Sequence, residues 1–319
     1  MDTVWGNAAQ YSEVYWGWPI AVYLFLAGLS AGALMTALLV KWIEGNETQP
    51  WDGLIKAGAL LSPPTIMLGL ALLIVDLSRP TAFYQLMIHY QLTSVMSIGV
   101  VLLIVYTPLS LLFSAGIFKK ILSSHDFSAA WFKPLVPFLN RFEKIRSIEG
   151  IMFAFAIGIA IYTGFLLSAL VAKPLLNVAV LPLLFLVSSL SAGIAANILL
   201  GLTVFRSTVA KDNLKFLLAL DLRVIPFEMF ILFLLFAGLY FHGGSYVAVA
   251  DAALTAGIWA KVFWIGVVGM GLLLPVAIAV TSLHGHVYKL QTVLLNSALA
   301  LAGVLLLRLY ILYAGQIFG

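Results

Sequence analysis

Four ionisable residues lie inside or at the ends of long apolar stretches: Asp76, Arg79, Glu228 and Arg308. Charge is expensive in hydrocarbon, so such residues usually mark a pathway, a partner or a site. Asp76 and Arg79 stand three apart before Pro80, a spacing that also suits a local ion pair at a helix end. Tyr23 and Tyr162 add two phenols in apolar surroundings. Phenols with a carboxylate in an apolar cleft suit a quinone. The hydroxyls hydrogen-bond its carbonyl oxygens, and the carboxylate can take the protons released on oxidation. The plainer readings are aromatic-belt tyrosines and a Glu228 that snorkels to the inner interface. Arg308 needs a carboxylate, a set of carbonyls or a water-filled pocket.

Bound haem is a second chemistry to weigh. Haem b needs two axial histidines facing each other within the bundle. The five histidines, His89, His125, His242, His284 and His286, all fall in loops or at helix ends. There is no cysteine. That removes disulfides, thiolate-bound zinc, iron–sulfur ligation and covalent haem attachment. No haem or iron–sulfur cluster is therefore expected in this chain. Any redox role must borrow metal centres from a partner or use a dissociable cofactor.

The elements that position these residues follow from composition. Of 319 residues, 63% are hydrophobic and 9% charged. A soluble domain carries about 25% charged residues, and disorder needs far less apolar surface. The chain reads as an all-α integral membrane protein. Eight spanning helices are predicted, over Trp18–Ile43, Leu54–Val75, Thr93–Phe118, Ile148–Val171, Val178–Phe205, Val224–Phe241, Ile258–Val280 and Val293–Ala314. None alternates as a barrel strand does. Residues 1–17 carry Asp2 and Glu13 but no Lys or Arg, so no cleavable signal peptide is expected.

Lys and Arg set the orientation. Of the 17, thirteen from Lys41 to Lys289 fall on one side, three (Arg79, Lys173 and Lys261) on the other, and Arg308 lies within the last span. The positive-inside rule then puts both termini outside, in the periplasm of a bacterium. With about 1.5 Å rise per residue, Tyr162 lies roughly 21 Å and Arg308 roughly 22 Å along spans that run outward. Tyr23, Asp76, Arg79, Tyr162 and Arg308 thus share the outer half. Glu228 is expected about one turn from the cytoplasmic end of its span, too deep to pair with Arg308.

Leu29-Ser30-Ala31-Gly32 in the first span recurs as Leu190-Ser191-Ala192-Gly193 in the fifth. The echo suggests two parallel repeats of four helices. Gly28-x-x-x-Gly32 is a spacing that lets two helix backbones approach closely.

Several motifs, in order along nearly the whole chain, resemble the NrfD/PsrC family of membrane subunits. They are Trp18-Pro19-Ile20-Ala21-Val22-Tyr23-Leu24-Phe25-Leu26 followed by Gly28–Gly32; Asp76-Leu77-Ser78-Arg79-Pro80, with Ser78 for the usual Gly; Ser94-Val95-Met96-Ser97-Ile98-Gly99; Tyr162–Ser168; and Leu307-Arg308-Leu309-Tyr310 with Ala314-Gly315-Gln316. The resemblance implies a quinone-reactive subunit of the inner membrane that oxidises menaquinol. Electrons would pass to a periplasmic four-cluster iron–sulfur subunit. That partner would serve a molybdopterin enzyme, as in polysulfide or thiosulfate reductases, or a multihaem cytochrome, as in formate-dependent nitrite reduction. The implied quinone site lies in the first four-helix bundle near the periplasm, lined by Tyr23, Asp76, Arg79 and Tyr162.

The expected organisation is a periplasmic segment 1–17, a first bundle over 18–171 with the quinone site, and a second over 172–319. Asp76 and Tyr162 are the expected chemical groups, with Tyr23 and Arg79 binding. Glu228 and Arg308 are open to a proton route or to packing. The lipid bilayer is a partner; nucleic acid is not. A secondary transporter is the rival class. It should show broken helices at matching depths in both halves, and Pro182 and Pro275 give no matched pair. A purely structural anchor is the third reading.

Overall fold

The computed structural model describes residues 16–44, 53–77, 80–88, 90–91, 93–124, 136–143, 146–205, 211–285 and 290–318. Arg79, Ser78, His89, His125, His286 and positions 1–15 lie outside the described residues, as do Lys133, Lys144, Arg206 and Lys289. Among the described residues no strand occurs, and eight helices are long and apolar enough to cross a membrane. They are α1 (Trp18–Glu44), α2 (Gly53–Asp76), α3 (Val95–Ile117), α4 (Arg146–Ser168), α5 (Leu181–Thr203), α6 (Lys211–His242), α7 (Gly257–Thr281) and α8 (Leu290–Ile317).

Seven of these match the predicted spans to within a few residues. The sixth does not: α6 begins at Lys211, well before the predicted Val224. Lys211, Asp212, Lys215, Asp221 and Arg223 depress hydropathy there, yet Leu217, Leu218 and Asp221 are buried on one side while Lys215 and Arg223 are exposed. An apolar face at helical spacing carries the helix through its charges. Its 32 residues extend about 48 Å, longer than the roughly 30 Å hydrocarbon layer.

Interior prolines are tolerated at Pro63 and Pro64 in α2, Pro108 in α3 and Pro226 in α6. In α7, residues Val262–Leu273 form a π-helical stretch, whereas α3 stays α-helical throughout. Connections also contain helices, a 3₁₀ turn at Pro80–Met87 and an α-helix at Ser245–Thr255 among them.

α1 and α5 are the most enclosed spans. α1 packs on α2, α4, α5 and α8, and α5 packs on α1, α2, α4, α6 and α8. The Asn197 amide of α5 donates to the Ala33 carbonyl of α1 at 3.0 Å. α3 rests on α2 and α4.

The ends of the bundle are pinned by polar contacts. The Gln316 side chain accepts from the Trp16 N–H at 2.8 Å and donates to the Trp16 carbonyl at 3.0 Å. Lys173 Nζ donates to the Gln316 carbonyl at 2.9 Å. Residues next to both chain ends therefore meet at one face, here called the terminal face. At the opposite face, Glu149 of α4 receives Lys41 Nζ at 2.6 Å and the Trp42 indole N–H at 2.7 Å, both from α1.

Candidate functional site

Each of the first four helices contributes one residue to a small cluster near the terminal face. Tyr23, five residues into α1, is wholly buried, and its Oη has no hydrogen-bond partner. Its ring lies on Gly69 of α2, where a Cβ would stand 3.3 Å from Tyr23 Cδ2. Tyr162, six residues from the end of α4, is 6% exposed. Its ring lies on Gly99 of α3. The two phenols are within electrostatic range of each other. Two hydroxyls from opposite ends of the first half of the chain thus share one apolar layer.

Asp76 is the last residue of α2, seven beyond Gly69, and so about 10 Å nearer the surface. It is exposed. The structure places it at the rim, not between the phenols. Arg79 lies outside the described residues, so the expected Asp76–Arg79 pairing does too.

A second polar layer lies deeper, at Ser30 and Tyr106, each seven residues further along its helix than Tyr23 and Gly99. Ser30 Oγ donates to the Ser62 carbonyl, and its contact with Tyr106 Oη is 2.9 Å. A serine has one hydroxyl proton, so Tyr106 is the donor to Ser30. Ser62 Oγ and Thr107 Oγ1 are buried without partners. This layer is not among the residues expected from the sequence, although Ser30 repeats the position of Tyr23 two turns on.

Glu228 departs from its expected place near the inner end of its span. It is 17 residues from Lys211 and 14 from His242, close to mid-helix, because α6 starts a full 13 residues earlier than predicted. It is 2% exposed and lies within electrostatic range of Arg308 and of Asp221. Arg308 of α8 is fully buried. Its Nη2 donates to the Phe185 carbonyl at 3.1 Å and to Ser189 Oγ at 3.2 Å, and the guanidinium stacks 3.6 Å from the Phe185 ring centroid. Arg308 Nε and Nη1 and Glu228 Oε2 have no partner. Asp221, missed in the sequence because its stretch reads as a loop, receives Ser191 Oγ at 3.1 Å. Asp221 and Glu228 are seven apart on α6, so they share a helix face.

In chemical terms, the outer layer offers hydrogen-bond donors to a polar ligand atom in an apolar setting. The Asp221–Glu228–Arg308 series offers ionisable groups in sequence through the other half. Among the described residues no group of three metal-ligating side chains is assembled.

Comparison with known proteins bears on the whole chain. The family described as polysulphide reductase, NrfD, matches residues 6–319. A polysulfide reductase chain from Wolinella succinogenes is 52% identical over 319 residues, covering 100% of this chain and 99% of that protein. Protein NrfD of Escherichia coli is 36% identical, covering 98% of each. A selenate reductase subunit from Mesobacillus selenatarsenatis is 26% identical, covering 86% of this chain and 68% of that protein.

Proposed function

The chain belongs to the polysulphide reductase NrfD family, and from that premise we propose that it oxidises menaquinol near the terminal face and passes two electrons to a docked iron–sulfur partner. Membership makes it a membrane subunit of a reductase complex. In this reading the terminal face is periplasmic, α1–α4 form the quinol-binding bundle and α5–α8 the second, all in the bacterial inner membrane. The 52% identity to a polysulfide reductase chain, against 36% to an NrfD protein, supports a polysulfide-type complex with a molybdopterin subunit over a multihaem nitrite-reducing one.

The carrying observation is the orphaned, buried Tyr23 hydroxyl, within electrostatic range of Tyr162. A buried donor without an acceptor costs roughly 1–3 kcal/mol. A quinone oxygen is an acceptor of the right kind, and its apolar ring suits the glycine-lined surroundings. Tyr23 and Tyr162 would hold and orient the ring oxygens. Quinol oxidation releases two electrons and two protons. The electrons leave to the iron–sulfur partner at the nearby face, and Asp76 at the rim takes protons toward solvent. Arg79 would set the charge at that rim. Glu228 and Arg308, with Asp221, would provide a proton route through the other half. Their buried, incompletely partnered atoms support this, since such groups in a membrane are usually functional.

The test uses the intact complex in membranes. Tyr162→Phe and Asp76→Asn should assemble normally. Both should slow acceptor reduction driven by quinol, while reduction driven by a dye feeding the catalytic subunit stays normal. Loss of the Tyr162 hydroxyl should weaken transition-state binding by roughly 0.5–1.5 kcal/mol, or more if the quinol oxygen gains charge. Unchanged quinol-driven rates in both variants would move the site elsewhere.

A further inference from the structure

Gly99 belongs to the Ser94–Gly99 motif and has no role in the function proposed above. It is the fifth residue of α3 and is buried. Glycine inside a helix is disfavoured relative to alanine, so its presence asks for a steric reason. At Gly32, Gly164, Gly193, Gly271 and Gly303 that reason is a neighbouring backbone, which a Cβ would strike. Gly99 differs. The three atoms nearest to its absent Cβ are Cζ, Cε2 and Oη of Tyr162. The vacant volume serves one side chain, and serves it at the hydroxyl end. Any larger residue at 99 must displace the phenol tip first.

Resting on the quinol reading, we propose that Gly99 is a positioning residue for quinol oxidation, because the space it leaves fixes where the Tyr162 hydroxyl meets the quinol oxygen. Hydrogen bonds weaken steeply as distance and angle depart from the optimum, so a small displacement of Oη matters. The neighbouring Gly158 of α4 supplies a control. A Cβ there meets Leu102 of α3 at 3.2 Å, in the same α3–α4 interface, but with no Tyr162 atom among its neighbours.

The experiment compares Gly99→Ala, Tyr162→Phe, their double variant and Gly158→Ala in the intact membrane complex, with quinol-driven and dye-driven rates measured side by side. Gly99→Ala should lower the quinol-driven rate by about tenfold, as Tyr162→Phe does, with dye-driven activity unchanged. Added to Tyr162→Phe, it should lower the quinol-driven rate by less than about twofold more, because the hydroxyl it misplaces is already gone. Gly158→Ala should stay within about twofold of the parent. Full quinol-driven activity in Gly99→Ala, beside a slow Tyr162→Phe, overturns the positioning role and leaves the quinol reading intact. Multiplying losses in the double variant, or an equal loss in Gly158→Ala, assign Gly99 to packing instead. A normal Tyr162→Phe defeats the underlying reading itself. Should Gly99→Ala fail to assemble, Gly99→Ala/Tyr162→Ala decides: recovery of assembly supports the contact, and continued failure overturns it.

Discussion

Gly32 of α1 and Gly193 of α5 cross backbone to backbone: a Cβ built on Gly193 would fall into the Gly32 main chain, and one built on Gly32 into the Ser189 carbonyl, one turn before Gly193. The two glycines are the last residues of the two echoed Leu-Ser-Ala-Gly segments. The serines of the same segments turn away from this contact in different directions. Ser30 bonds Ser62 and Tyr106 of α2 and α3, and Ser191 bonds Asp221 of α6. One crossing thus anchors two separate polar layers.

Adding a methyl group at this crossing has no open space to enter. Gly193→Ala should force α1 and α5 apart, an overpacking change that typically costs 1–3 kcal/mol, of order a few degrees in melting temperature. Thermal unfolding of the detergent-solubilised protein measures it. A melting temperature equal to the parent's would show that the helices are not in backbone contact.

Glu228 and Arg308 are buried and electrostatically linked. Arg308→Gln should destabilise the fold because it removes the hydrogen bonds to Phe185 and Ser189 and the stacking on the Phe185 ring, and Glu228→Gln because it takes from the buried guanidinium the carboxyl group within its electrostatic range. The double variant should lose less than the sum, with a coupling of roughly 0.5–3 kcal/mol. Strictly additive losses would mean that the two groups act independently.

At the opposite face, Glu149 serves two donors while Lys41 serves one acceptor. Glu149→Ala strands both the Lys41 ammonium and the Trp42 indole N–H. Lys41→Ala leaves Glu149 still bonded to Trp42. The first should therefore destabilise more than the second, by about 1–3 kcal/mol for the extra unpartnered donor. Denaturation midpoints of the two variants provide the comparison, and the reverse order would refute the shared role of Glu149.

Gln316 and Trp16 are hydrogen-bonded across 300 positions, which requires the start of α1 and the end of α8 to share a face. Reporter fusions placed after Gly319 and within 125–146 should report opposite compartments, with the former outside as the charge bias indicates. Reporters in the same compartment would contradict the eight-span arrangement.

The eight spans were legible because a helix in lipid must satisfy its backbone internally and present an apolar surface, so long apolar runs declare themselves. Tyr23 and Tyr162 were placed in one layer by helical rise alone, which needs only the ends of two helices. Cysteine usage restricted the inorganic chemistry without any coordinates. The start of α6 was not legible. Its first turns carry charges, and only α5, by presenting Ser191 to Asp221, makes that polarity compatible with burial. The depth of Glu228 was misread for the same reason, once the start of its helix was misplaced, and its electrostatic reach to Arg308 belongs to a pair of helices, not to either sequence. Gly99 and Gly193 are alike as letters. Only the packed structure separates them, because what occupies the space of a missing Cβ, a phenol in one case and a backbone in the other, is decided by the neighbouring helix.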